Sequence, residues 1–202
     1  ATTPTLSAVN VPLNATFVDN GNGSGTFNFD PNFVQSGIFN VTFIASDGAL
    51  ADSEVVAITV NDAGNQRPVL AAIGPQLVNE GANLNFNANA SDPDGTIPTL
   101  SAVGLPSGAT FNNNGDGTGT FNFSPTFAQA GIYNVTFIAT DGVLADSEVV
   151  AISVNDAGNQ APVLTTIGPR NVNEGAVLNF NISAGDPDSS IPTLSAVGVP
   201  TN

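Results

Sequence analysis

The residues of this chain that could do chemistry are its carboxylates, and their positions recur. Seventeen Asp and Glu stand against two cations, Arg67 and Arg170. Asp92-Pro93-Asp94 returns as Asp186-Pro187-Asp188, and Asn61, Asp62 and Asn65 return as Asn155, Asp156 and Asn159. Asp47 and Asp141, each followed by Gly, are related by the same offset of 94 residues, and Glu80 sits in Val78-Asn79-Glu80-Gly81. Oxygen donors without nitrogen or sulfur partners suit a hard cation, calcium above all, which takes about six to eight oxygens. The same residues also read as ordinary turns, because Asp tolerates turn geometry and Gly supplies positive φ. At the level of residue type both readings stand.

Other chemistry is excluded by composition. The chain has no Cys, His or Lys. Disulfides, thiolate nucleophiles, sulfur- or imidazole-bound metals, Schiff bases and phosphate-gripping lysines are therefore ruled out. A net charge of −15 with two Arg repels a nucleic-acid backbone. No 18-residue apolar run exists, so no membrane insertion is expected in this segment. Asn112-x-Asn114-x-Asp116-Gly117 imitates an EF-hand loop, but its twelfth position is Phe123. Gly21-x-Gly23-x-Gly25 lacks the strand and helix of a dinucleotide site. Asp92 and Asp94 are a close carboxylate pair without a sugar platform or a counter-base. The expectation is that the segment is not an enzyme.

The elements that must position the carboxylates come from an internal repeat. Between Thr42 and Gln66, 22 of 25 residues are identical to those at 136–160. Pro4-Thr5-Leu6-Ser7-Ala8-Val9 recurs at Pro98 and at Pro192. The frame divides the chain into 1–65, the C-terminal part of one repeat; 66–159, a complete repeat; and 160–202, the N-terminal part of a third. Ninety-four residues is the size of one small β-sandwich. Ala82 to Ala90 alternates apolar residues with Asn, which predicts a half-buried strand. Tyr133, Val135, Phe137 and Ala139 form a second inward row, and Val150, Ile152 and Val154 a third. Asp146 and Glu148 are read as solvent-facing. Asn114-Gly115-Asp116-Gly117 and Leu105-Pro106-Ser107-Gly108 read as turns. With no helical period, the fold class is all-β: tandem Greek-key sandwiches of about seven strands per repeat. At 41% hydrophobic and 9% charged, the chain can fill such cores.

Asn65-Gln66-Arg67-Pro68-Val69-Leu70, Val78-Asn79-Glu80-Gly81, Asp92-Pro93-Asp94-Gly95, Leu105 to Phe111, Gln129-Ala130-Gly131-Ile132-Tyr133 and Ala139-Thr140-Asp141-Gly142 occur in that order. Together they resemble the bacterial putative-Ig and dystroglycan-type cadherin-like tandem repeats of large secreted surface proteins. The resemblance implies Ig-like or cadherin-like sandwiches with calcium at the repeat junctions. Carried over by residue, one junction would use Asn61, Asp62, Asn65, Asp92, Asp94 and Asp141. The next would use Glu80, Asn155, Asp156, Asn159, Asp186 and Asp188. The mid-domain Asp-Arg-Glu triplet of cadherins is absent, and Gln129-Ala130-Gly131 stands where many relatives have Asp-Ala-Gly.

The function expected from this is a non-catalytic stalk, adhesin or filament segment at the cell surface or outside the cell. A carbohydrate- or ligand-binding module is the alternative, opposed by zero Trp and a single Tyr. The frame also bears on partners. Either the chain is a window on a continuous array, or copies associate head to tail. In the second case residues 160–188 of one copy would complete residues 1–65 of the next by strand addition.

Overall fold

In a computed structural model, residues 3–199 are described; Ala1, Thr2 and residues 200–202, the extreme ends of the first and third repeats, lie outside them. The longer strands of the complete repeat, such as β8 and β11, follow the period-2 alternation of apolar residues with polar ones. The chain divides into two compact units. One comprises Ala1–Val69, Ala90–Thr99 and Ala139–Asp146, and the other Leu70–Asn89, Leu100–Ile138 and Ser147–Asn202.

The first unit holds β1 (Thr5–Val9), β2 (Ala15–Asp19), β3 (Gly25–Phe29), β4 (Gly37–Ser46) and β5 (Ala51–Val60). They form a three-stranded sheet, β1-β4-β5, and a two-stranded ribbon, β2-β3. The Phe43 ring meets Phe17 at 5.4 Å and Phe27 at 5.5 Å, centroid to centroid, which ties ribbon to sheet. Val41 is fully buried, but Phe17, Phe27 and Phe43 are only half-buried.

The complete repeat runs through β6 (Val69–Leu70), β7 (Gln76–Asn79), β8 (Leu84–Ser91), β9 (Thr99–Val103), β10 (Thr110–Asn113), β11 (Thr118–Phe123), β12 (Gly131–Thr140) and β13 (Ala145–Asn155). Its sheets are ordered β10-β11-β8-β6 and β7-β13-β12-β9. The non-sequential neighbours are the crossovers of a Greek-key sandwich, so the all-β expectation holds. Phe121, Phe123, Val135, Phe137, Val150 and Ile152 have essentially no exposed surface. They are the inward rows of β11, β12 and β13. The two expected turns form: Asn114 N–H donates to Thr118 O at 2.9 Å, and Ala109 N–H to Pro106 O at 3.0 Å.

Three readings need correction. Ala82 is not in the strand: its N–H closes a turn onto Asn79 O at 3.1 Å, and β8 starts at Leu84. Phe86, which the alternation places in the core, is only half-buried, although it stacks on Phe121 at 4.9 Å. The strand beyond it, β6, is only two residues long. Neither Asp146 nor Glu148 faces solvent: both share the parity of Val150 and Ile152 and are half-buried. Glu148 accepts hydrogen bonds from Ile73 N–H at 2.7 Å and Gly74 N–H at 2.9 Å.

Of the third copy, β14 (Val163–Leu164) and β15 (Ala184–Gly185) are the regular elements among the described residues. Leu178-Asn179-Phe180-Asn181 repeats the sequence of β8 yet forms no strand, and it stays exposed. A strand needs neighbours as well as an alternating sequence. No helix among the described residues is long and apolar enough to cross a membrane.

Candidate functional site

The carboxylates named from sequence fall at the two linkers, where each is placed by a turn or a strand end. At the first linker, Asp92 Oδ1 accepts the Asp94 N–H at 2.8 Å, so the Asp-Pro-Asp-Gly loop folds around its own first carboxylate. That loop presents Asp94 Oδ2 to the Gln66 N–H in a very short hydrogen bond. Asn65, one residue earlier, donates its amide to Asp141 Oδ2 at 2.8 Å. Adjacent linker residues are thus held by two different loops. Asp141 also caps its own turn, its Oδ1 accepting from Val143 and Leu144 N–H, both at 2.7 Å. Those backbone donors, with Asn65 as a smaller contributor, hold its carboxyl below the usual value of 3.8.

The second Asp92 oxygen, Oδ2, is buried and has no hydrogen-bond partner. A buried carboxylate oxygen left unpaired is costly, and such atoms are uncommon in folded proteins. Asn61 and Asp62 lie apart from this group. Both line a small cavity of about 130 Å³ beside Phe33, and Asp62 Oδ1 is taken by the Gly64 N–H at 2.9 Å.

The second linker repeats the grip. Asp186 Oδ1 accepts Asp188 N–H at 2.9 Å, and Asp188 Oδ2 accepts Gln160 N–H at 2.5 Å. Here Glu80 adds a further clamp. It is 5% exposed, the sole buried charged residue among those described. Its Oε1 accepts Gln129 N–H at 2.8 Å and its Oε2 accepts Ala157 N–H at 3.2 Å, so it bridges a loop of its own sandwich to the following linker. Gly81 permits this. Its φ is +71°, and a Cβ there would lie 2.6 Å from the Phe127 ring. Glu80, Asp156, Asn159 and Asp188 together line an open cleft of about 390 Å³. Asn155 points elsewhere, donating to Asn79 Oδ1 at 3.0 Å, and Asn159 donates to Gln160 O at 3.1 Å.

As they stand, the described carboxylates include no group of three or more drawn together closely enough to hold a metal ion. The oxygens that are bonded accept mainly backbone N–H groups, some in the linkers and some in the carboxylates' own loops. Sequence reasoning missed those partners, Gln66, Gln129, Ala157 and Gln160, because a backbone donor carries no residue-type signal. It also missed the Glu148 clamp, which the parity of 148, 150, 152 and 154 would have revealed.

The chain is similar to chitinase A of Pseudoalteromonas piscicida, 32% identical over 161 residues, which is 79% of this chain and 19% of the chitinase. Among solved structures it is similar to human CDH23 EC21-23, with a TM-score of 0.47 and 18% identity over 94% of this chain and 75% of that one. It is also similar to the endo-fucoidan hydrolase MfFcnA4 from glycoside hydrolase family 107, with a TM-score of 0.42 and 21% identity over 78% of this chain and 25% of the hydrolase. The chain thus spans a fifth of the length of the curated relative and a quarter of the hydrolase. Residues 67–155, the span that folds as the complete sandwich, match the family described as "Putative Ig domain".

Proposed function

We propose that the segment is a non-catalytic run of Ig-like sandwiches in an extracellular or cell-surface protein, a stalk or spacer whose junctions are stiffened. The observation that carries this reading is the repeated grip on the linker. Asp94 on Gln66 N–H and Asp188 on Gln160 N–H are the same hydrogen bond 94 residues apart. A linker held by the loop of the sandwich that follows it is built to resist hinging, unlike a flexible Gly/Ser tether. High negative charge keeps such a run extended and soluble.

Calcium at the first linker would draw its donors closer together than they stand. The donor set at the first linker, Asn65, Asp92, Asp94 and Asp141, is all oxygen, and Asp92 Oδ2 is a buried acceptor without a partner. Asn61 and Asp62 stand aside from it, and Glu80 at the second linker is already committed to two N–H groups. A bound cation would neutralise the clustered charge. Calcium against chelator should separate the melting curves, because a ligand at a hundredfold excess over Kd stabilises by about 2.7 kcal/mol. Asp92→Ala with Asp94→Ala should abolish that difference and increase interdomain flexibility in solution scattering. Identical melts with and without calcium would remove the metal and leave the spacer. Unchanged scattering in the double variant would remove the stiffened linker too.

The second reading is a spacer or binding module beside a polysaccharide-degrading domain, favoured by the likeness to chitinase A. For binding, a sugar needs an exposed aromatic row. The one Tyr, Tyr133, turns inward and donates its hydroxyl to Gln129 O at 3.0 Å. Pull-down on insoluble chitin tests this directly, with no retention expected.

A further inference from the structure

Three Asn-Gly pairs lie at hairpin tips: Asn20-Gly21 and Asn22-Gly23 between β2 and β3, and Asn114-Gly115 between β10 and β11. Glycine leaves the nitrogen that follows an asparagine unshielded by a side chain. Each pair can therefore cyclise, the glycine nitrogen attacking the asparagine amide. Their hydrogen bonds set the three apart.

Asn22, which is exposed to water, accepts on Oδ1 the Ser24 N–H at 3.1 Å and the Ser24 hydroxyl at 2.6 Å. The ring closed by the first bond runs through Asn22 Cγ and the Gly23 nitrogen, so the two atoms that would join share one short loop. Two donors on Oδ1 draw electrons from Cγ. They face the oxygen on which charge grows when a nucleophile adds, the arrangement of an oxyanion hole. The hydroxyl is itself polarised, because Asn20 donates its amide to Ser24 Oγ at 3.1 Å. At Asn20 and Asn114 the side-chain amide is engaged as a donor instead, Asn20 to Ser24 and Thr26, Asn114 to Thr118 and Thr120. The next glycine N–H is given to an acceptor in both, Gly21 to Asp19 Oδ1 at 3.0 Å and Gly115 to Asn113 Oδ1 at 3.4 Å.

The complete repeat holds the product. Where the first hairpin has Asn22-Gly23, it has Asp116-Gly117, and the glycine φ is +82° in both. Asp116 Oδ1 accepts the Thr118 N–H at 3.0 Å and hydroxyl at 2.6 Å, and Asn114 donates to that hydroxyl at 2.8 Å. The same bonds in both copies are local to the hairpin tip and owe nothing to what lies beside either sandwich. We propose that Asn22 is a site of spontaneous deamidation, activated by Ser24, which converts the first hairpin to the acidic form that the complete repeat carries by sequence.

The Gly23 nitrogen gives up its proton to solvent base and bonds to Asn22 Cγ. The Cγ–Nδ2 bond breaks, and ammonia leaves with a proton from solvent. Water then opens the five-membered imide. Cleavage at Cγ gives Asp, and cleavage at the backbone carbonyl gives isoaspartate. Water is taken up and ammonia released, with nothing oxidised or reduced. Asp at this position inherits both Ser24 donors and adds one negative charge to the −15 of the chain. The reaction depends neither on calcium nor on the stalk reading.

The test ages the whole folded chain in buffer and follows each Asn-Gly pair by peptide mass mapping, reading the mass gain of an amide that becomes a carboxyl. Asn22 should convert first, with Asn20 and Asn114 about tenfold slower for want of the two donors. The rate should rise with pH, because the attacking nitrogen must lose its proton. Ser24→Ala removes the hydroxyl and should slow Asn22 about three- to tenfold, the worth of one hydrogen bond. Ser24→Thr, the residue of the complete repeat, should restore the rate. In concentrated urea, where the hairpins are lost, the three pairs should converge. Asn22→Asp should melt as the parent does and bind Ser24 as Asp116 binds Thr118. Asn114 converting as fast as Asn22 in the folded chain, or an Asn22 rate indifferent to Ser24→Ala, overturns the proposal.

Discussion

Phe137 and Phe43 occupy the same place in two copies of one repeat, flanked by the same Val, Thr, Ile and Ala, yet Phe137 has no exposed surface and Phe43 is half-buried. The strands that carry them match: both are ten residues long and each pairs with the hairpin partner that follows it. What differs is β8. The strand that seals Phe137 enters from some fifty residues earlier in the chain and sets the Phe86 ring edge-on to that of Phe137, 5.7 Å between centroids. Burial is therefore not a property of the local sequence in this fold. It belongs to the layer laid on top.

The largest expected difference is in the core. Phe137→Ala should cost about 3–5 kcal/mol, the usual penalty for emptying a sealed aromatic site. Phe43→Ala should cost about 1–2 kcal/mol at high dilution, since only part of its area leaves water. Denaturant melts of the two variants check this. Equal penalties at high dilution would mean the first unit is sealed by something else.

Next comes the glycine of the Val-Asn-Glu-Gly motif. Gly81→Ala meets both a positive φ and the Phe127 ring 2.6 Å from the new Cβ. Backbone strain of about 1–2 kcal/mol and overpacking of about 1–3 kcal/mol should add. Gly175→Ala, at φ +79° with open space around it, should show the backbone cost alone. Thermal shifts that match in the two variants would erase the distinction between a docked motif and an undocked one.

The carboxylate clamps give a smaller contrast. Glu148→Gln loses a charged acceptor for two backbone N–H groups on a half-buried residue, which should cost about 1–3 kcal/mol. Glu54→Gln, on the exposed counterpart, should stay within about 0.5 kcal/mol when the chain is dilute.

Alternation and turn chemistry made the sheets and hairpins legible in advance. Val135, Phe137, Val150 and Ile152 are buried because period-2 patterning states directly which face a side chain takes. The carboxylate positions at the linkers were legible for a different reason, their recurrence at a fixed offset. Their partners were not, because Gln66 and Ala157 act through backbone N–H groups that every residue owns. Leu178 to Asn181 shows the opposite limit. Its sequence repeats the first four residues of β8, yet it forms no strand.

The smallest contrast concerns one hairpin in which a charge has moved by three residues. In the first unit Asp19 accepts the Leu6 N–H at 2.9 Å and the Gly21 N–H at 3.0 Å, and Asn22 binds Ser24. In the complete repeat the neutral Asn113 takes Asp19's place, with longer bonds of 3.4 Å to Leu100 and Gly115 N–H, and the charge sits at Asp116 on Thr118. The backbone donors of Leu6 and Gly21 lower the Asp19 carboxyl from its usual 3.8, and the hydroxyl and N–H of Thr118 lower that of Asp116. A carboxyl lowered by folding stabilises fully above its unfolded value and loses that contribution as pH falls through the folded one. Both hairpins should therefore loosen below about pH 4, each at its own acid. Asp19→Asn should make the first hairpin insensitive to acid while leaving the second unchanged. Asn113→Asp should bring the Leu100 bond towards the 2.9 Å of its counterpart and give the complete repeat a second acid-sensitive site. Carboxyl titration by NMR in each variant reads the two separately. A lowered Asp19 that survives removal of its Leu6 partner strand would show that the turn alone sets it, and that the contrast between the hairpins owes nothing to the strand beside them.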